Sequence, residues 1–162
     1  MRRRESCRAD PLERNLLENG GASSESLDDV YKINDSEGCL LACIIRSTYN
    51  PPSTIFLSDG ASNPQYGIIT YPIEHVIPRH YHRPLPRTVE GTPETLFIRK
   101  GKVKADIYDK KLALVASFSL NVGDIIVLHS GGHGFTMEED SSMFEVKQGP
   151  YAGSTANDKV QF

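Results

Sequence analysis

The chain has 162 residues, of which 38% are hydrophobic, 24% charged and 8% aromatic, and its formal net charge is −3. This composition supports one ordinary folded domain and excludes wholesale disorder. The net negative charge argues against a protein built around nucleic acid, and no apolar run is long enough for a transmembrane helix.

The first 28 residues differ in character from the rest of the chain. They are rich in Arg, Glu, Asn, Ser and Gly, and no apolar stretch of signal-peptide length follows the basic start Met1–Arg4. We therefore predict a flexible or short-helical tail over residues 1–28, a single domain over residues 29–162, and a cytoplasmic location.

From Val30 onwards, short β-type runs alternate with turn residues. The candidate strands are Leu40–Arg46, Thr54–Leu57, Tyr66–Tyr71, Glu74–Ile77, Thr95–Ile98, Val103–Tyr108, Leu112–Phe118, Ile125–Leu128 and Met143–Lys147. Short strands at about ten-residue spacing, with no long amphipathic helix between them, predict an all-β sandwich or barrel.

All five histidines fall between residues 75 and 133. His80 and His82 form an HxH pair, and on a strand both side chains leave the same face, close enough to share one metal ion. His133 follows an apolar strand and a glycine turn, and Glu94 opens another strand. Three imidazoles and one carboxylate suit one borderline divalent ion such as Zn, Fe, Mn or Ni.

Each candidate ligand also has a simpler interpretation. In that interpretation, His80 and His82 would be a solvent-facing pair on an edge strand and Glu94 would be a surface residue. His133 would be a loop histidine that is hydrogen-bonded to the backbone. The fifth residue of interest, His129, precedes the glycine turn, which breaks its strand register with His133. We therefore keep His129 only as a reserve ligand and leave His75 as a surface residue.

The order of these residues resembles the two signature motifs of the cupin superfamily. The HxH at 80–82 precedes a Glu-x6-Gly over 94–101, which is followed by Gly-Asp-x-x-x-Leu over 123–128, a glycine turn and His133. The resemblance spans residues 66–147. In this chain eleven residues separate His82 from Glu94, where the family usually has three or four.

The resemblance implies a jelly-roll (double-stranded β-helix) barrel, here with extra N-terminal strands, and a homodimer. It also implies one divalent metal ion inside the barrel, held by His80, His82, Glu94 and His133.

The nearest likeness is to small single-domain cupins associated with bacterial surface-polysaccharide synthesis. They share the segments seen here as Arg87–Glu94 and Lys147–Tyr151. This likeness implies a small polar ligand such as a sugar derivative, with isomerase-like, epimerase-like or dioxygenase-like chemistry at the metal. A non-catalytic binding or sensing module and a metal-free structural barrel are the alternatives, and no catalytic residue is assigned.

Four further residues are candidates for binding that ligand. Arg87 lies in the loop before Glu94, where a guanidinium can hold a carboxylate or phosphate with two hydrogen bonds. Tyr66, Glu145 and Lys147 lie on predicted strands, and the last two share a face by the period of two. A solvated loop charge and a cross-strand surface pair are the simpler interpretations. We expect neither nucleic acid nor a membrane as a partner.

Overall fold

The computed structural model describes residues 24–27, 29–149 and 159–162. Most of the predicted tail and part of the segment Lys147–Tyr151 therefore lie outside the described residues. Within the stretch predicted as a tail, Ser24–Leu27 forms a strand that pairs with Val30–Asn34.

The described residues form strands and turns without a helix, which confirms the prediction of an all-β protein. None of them belongs to a helix that could span a membrane. The strands are β1 (Ser24–Leu27), β2 (Val30–Asn34), β3 (Leu40–Ile45), β4 (Ile55–Phe56), β5 (Gly67–Ile68), β6 (Glu94–Lys100), β7 (Val103–Tyr108), β8 (Leu114–Leu120), β9 (Ile125–Leu128), β10 (Gly132–Met137) and β11 (Ser142–Lys147).

Two local predictions need correction. Residues 74–77 are not a strand: Glu74 has a left-handed φ of 67°, and the His75 N–H donates to the Pro72 carbonyl at 3.2 Å, which makes a turn. The strand β10 was not predicted, because its sequence begins Gly132-His133-Gly134 and lacks apolar alternation.

The strands form two main antiparallel sheets and one small hairpin. The larger sheet has the order β1-β2-β3-β9-β6-β11, the smaller one has the order β10-β7-β8, and β4 pairs with β5. The two main sheets face each other without joining into one closed barrel, and the jelly-roll topology stays a prediction.

Alternating side chains build one core between the two sheets. Leu96 and Ile98 of β6 face inwards, and so do Val103, Ala105 and Ile107 of β7. Each inward residue removes apolar surface from water, worth about 25 cal/mol per Å². A second cluster covers the opposite face of the larger sheet under the β4–β5 hairpin; it comprises Val30, Cys43, Ile45, Leu57 and Val127.

One side of this sandwich is open. β6 and β7 are consecutive strands that belong to different sheets, while β11 pairs with β6 and β10 pairs with β7. In the described part of the chain, β10 and β11 are therefore edge strands that border the same side of the molecule. We call this the open side.

Residues 71–93 connect β5 to β6 as a long segment without a strand, which we call the arm. Residues 71–88 are all exposed. The arm contains His80 and His82, so these histidines do not lie on the strand whose parity predicted a shared face. Prolines at 72, 78, 84, 86 and 93 explain why the arm is not a regular strand, since each lacks the N–H that a sheet requires.

A buried carboxylate fastens the turn before β9 to both sheets. Asp124 is 2% exposed and accepts hydrogen bonds from the Ser47 and Asn121 backbone N–H groups at 2.8 and 2.9 Å. The Arg46 guanidinium donates to it at 2.8 Å and to the Ser119 carbonyl at 2.8 Å. The aspartate of the Gly-Asp segment is therefore a structural residue that ties β3, β8 and β9 together.

Replacing Asp124 with Asn should lower the free energy of unfolding by roughly 3 kcal/mol, because Arg46 then loses the charge that compensates it. Urea denaturation followed by circular dichroism measures this change. Glu138→Gln is the control: the Lys102–Glu138 pair is wider, at 3.6 Å, and more exposed, so its loss should cost at most about 1 kcal/mol. Equal losses in the two variants would contradict the assignment.

Candidate functional site

Glu94 is a carboxylate buried at the end of the inter-sheet core. It begins β6, where it shares the inward face of the apolar residues Leu96 and Ile98, and it is only 5% exposed. Its neighbours across the two adjacent strands are Leu128 and Lys147. A carboxylate in such surroundings requires a hydrogen-bonding or cationic partner.

His133 is that partner from the opposite sheet. It stands opposite Ile107 in the β10–β7 ladder and therefore faces inwards. The distance from His133 Nε2 to Glu94 Oε2 is 3.3 Å, and the imidazole remains 32% exposed at the open side. The Phe135 ring lies next to it on the same face, with 5.6 Å between ring centroids.

The turn that delivers His133 depends on Gly131. Its φ is +75°, and a Cβ atom there would lie 2.2 Å from the Tyr108 carbonyl oxygen, so only glycine fits. The glycine turn before His133 was predicted, but the histidine belongs to β10 rather than to the loop.

His80 and His82 form a second pair, on the exposed arm. Their ring centroids are 5.2 Å apart in an edge-on arrangement. His80 Nδ1 donates to the Pro78 carbonyl at 2.9 Å, which leaves the Nε2 lone pair available to a metal ion.

The four predicted ligands thus occur as two separate pairs. Across residues 29–149 and 159–162, no group of three or more His, Cys, Asp or Glu side chains is arranged to hold a metal ion. The four-ligand site stays a prediction, and the two pairs are its components.

Two predicted ligand-binding residues lie beside the Glu94–His133 pair. Lys147 stands opposite Glu94 in the β11–β6 ladder, and Glu145 stands opposite Leu96, so both share the inward face. Lys147 Nζ lies 3.5 Å from Glu145 Oε1, and both side chains are partly exposed. They place a cation and an anion at the rim of the open side.

Arg87 is in a different place. It lines a cavity of about 460 Å³ together with Thr88 and residues of the loop 60–65. Its guanidinium could bind an anion in this cavity. Neither Glu94 nor His133 lines the same cavity.

Tyr66 is also separated from the predicted site, on the opposite face of the larger sheet. Its hydroxyl shares a hydrogen bond of 3.1 Å with His129 Nε2 and a second hydrogen bond with the Cys43 thiol. The sequence suggested His129 only as a reserve metal ligand. Strand alternation could have predicted its position. His129 directly follows the inward-facing Leu128 and therefore points to the opposite face of the sheet, towards Cys43.

Burial controls the charge of this hydrogen-bonded chain. It raises the pKa of the Cys43 thiol and that of Tyr66, and it lowers the pKa of His129. All three groups are therefore neutral at pH 7, and Cys43, with 0% exposure, is not a thiolate nucleophile. The chain is a buried structural network.

Comparison with known proteins gives no match: no protein-family model matches this chain, and neither does any curated protein or solved structure.

The stability of the metal-free protein should fall as the pH drops below about 6.5. The unfolded His129 takes up a proton near that pH, whereas the folded, buried imidazole does so only at a lower pH, so protonation favours unfolding between the two values. His129→Gln should remove this component from urea-unfolding curves recorded at successive pH values with EDTA present. His75→Gln, at an exposed histidine, is the control and should keep it; an unchanged pH dependence in His129→Gln would contradict the assignment.

Proposed function

We propose that the protein binds one divalent metal ion between Glu94 and His133, with His80 and His82 as further ligands, and uses the site to hold a small polar molecule. In this proposal it is a cupin-like protein of the jelly-roll type whose two sheets stand open on one side. The ligand class is a hydroxylated or carboxylated compound such as a sugar derivative.

The observation that carries the proposal is the separation of the two donor atoms. The 3.3 Å between Glu94 Oε2 and His133 Nε2 is longer than a charge-assisted N–H···O bond, which is about 2.7–2.9 Å. Two ligands of one ion with bonds of about 2.0–2.2 Å and angles between octahedral and tetrahedral stand roughly 2.8–3.6 Å apart. The pair therefore fits the first coordination shell of one ion.

The chemistry of the donor atoms also supports a site for a divalent metal ion. One carboxylate and three imidazoles fit Zn, Fe, Mn or Ni, and burial of Glu94 keeps its oxygens away from competing water. A bound ion would supply Lewis acidity to a carbonyl or hydroxyl group of the ligand.

The residues around the pair supply binding and orientation. Lys147 offers an ammonium group to a carboxylate or phosphate, Glu145 offers an acceptor to hydroxyl groups, and the Phe135 ring offers an apolar surface. These side chains share the inward surface of the open side with Glu94 and His133. This arrangement supports an isomerase-like, epimerase-like or dioxygenase-like enzyme.

A second candidate function is a binding or sensing module without turnover. It is favoured by the 3.5 Å ion pair between Lys147 and Glu145, because this contact engages the two side chains with each other rather than with a reacting group. Incubating the metal-loaded protein with a panel of sugars, keto acids and aromatic diols separates the two functions. Product formation identifies an enzyme, whereas a thermal shift without product identifies a binding module.

Protein reconstituted with Zn, Fe, Mn or Ni should hold close to one ion per chain by elemental analysis after gel filtration. Glu94→Gln removes the buried charge while keeping the shape of the side chain, so it should weaken binding by about tenfold or more. The double variant H80A/H82A should have the same effect, since it removes two nitrogen ligands.

His75→Ala is the matched control, because it removes an exposed histidine of the same arm, and it should bind metal like the parent. A parent chain that retains less than about a tenth of an ion after reconstitution with each of the four metals would refute the proposal. Metal binding by Glu94→Gln that equals that of the parent would show that the ion binds at other residues.

A further inference from the structure

The arm exposes apolar side chains that a folded chain ordinarily covers. Ile73 is 92% exposed, Tyr81 79% and Leu85 66%, and Val76 and Ile77 also face solvent. So many exposed apolar residues on one segment are typical of an interaction surface rather than of a free loop.

Two prolines of the arm bound one segment that can pair with the edge strand of a sheet. Pro78 and Pro84 flank the five residues Arg79-His80-Tyr81-His82-Arg83, each of which retains its backbone N–H. Five residues are the length of an ordinary strand. Pro78 and Pro84 also favour extended backbone at Ile77 and Arg83, the residues that directly precede them.

The open side offers a complementary edge. In the described part of the chain, β10 pairs with β7 alone, so its other edge presents backbone groups that no strand satisfies. A strand added there would place alternate side chains on the inward face, which is the face of His133 and Glu94. His80 and His82 are two residues apart and would enter that face together.

The charge of the arm favours the same docking. The arm carries three arginines between residues 79 and 87 and no acidic residue in that span, whereas Glu138, Glu139 and Asp140 directly follow β10. The basic arm therefore has an acidic counterpart directly after the β10 edge.

We propose that the arm crosses to a second copy of this chain and pairs with its β10 edge, so that His80 and His82 of one copy complete the metal site of Glu94 and His133 in the other. This inference rests on the proposed metal site. The eleven residues between His82 and Glu94 span about 40 Å when extended, which is enough to reach a neighbouring domain of this size. Exchange of two arms gives a symmetric dimer with two shared sites.

Mixed dimers test this exchange. One chain carries H80A/H82A in the exposed arm, and the other carries E94Q/H133A at the open side. The two are co-expressed with different histidine-free affinity tags, purified through both tags, loaded with Zn or Mn, and analysed for mass by light scattering and for bound metal. With exchanged arms, each mixed dimer has one intact site, so its metal content per chain is half that of the parent. Each double variant alone should retain about a tenth of the parent's metal or less.

The other outcomes each overturn a stated part of the account. Mixed dimers without metal, beside a parent that binds one ion per chain, would show that each arm closes on its own chain; the proposed function would stand and the exchange would fall. A monomeric parent, or the absence of dually tagged protein, would overturn the exchange as well. A parent that binds no metal would overturn both proposals. E94Q alone, which keeps the shape of the side chain, replaces E94Q/H133A if that variant does not fold.

Discussion

The Glu94 carboxylate is buried between two apolar sheets, and the residues at the open side must compensate its removal from water. Removing a carboxylate from water is costly unless a hydrogen-bonding or cationic group compensates it. In this chain the compensation comes from His133 in the opposite sheet, at 3.3 Å, and Lys147 is its cross-strand neighbour. The inward face of β6, the glycine turn before β10 and the register of β11 all contribute to this one location.

The larger sheet separates two polar arrangements with different chemistry. On its inner face, Glu94 and His133 meet at the open side, where His133 remains partly exposed and accessible to ligands. On its outer face, Cys43, Tyr66 and His129 form a covered chain under the β4–β5 hairpin. Burial holds the outer groups neutral, which suits a structural role, whereas the inner pair combines a carboxylate with an accessible imidazole, which suits a metal ion.

Strand periodicity predicted the parts of the fold that local sequence controls. Val103–Tyr108 has the predicted bounds because inward apolar residues alternate with less buried ones, and Ile125–Leu128 has them because it is a short, continuous apolar run. β10 escaped prediction because its glycines hide the alternation of His133 and Phe135. The way in which the sheets join could not be predicted, because the pairing of distant strands, such as β3 with β9, depends on packing that no local pattern records.

The candidate site, too, was predictable from local sequence only in part. Spacing identified Glu94 and His133, which the fold brings together, and Lys147 beside them. It could not foresee that prolines keep His80 and His82 on an exposed arm, or that Tyr66 is occupied by His129 and Cys43. A sequence pattern identifies which residues share a face, but the partner of each face depends on the assembled sheets.

Crystals grown with a saturating concentration of Zn²⁺ or Mn²⁺ give the most direct test of the site at the open side, through the anomalous scattering of the ion. The account predicts an anomalous peak about 2.0–2.2 Å from both a Glu94 carboxylate oxygen and His133 Nε2, in place of their direct contact. A peak confined to other residues, or no peak while Glu94 and His133 remain in contact, would contradict it.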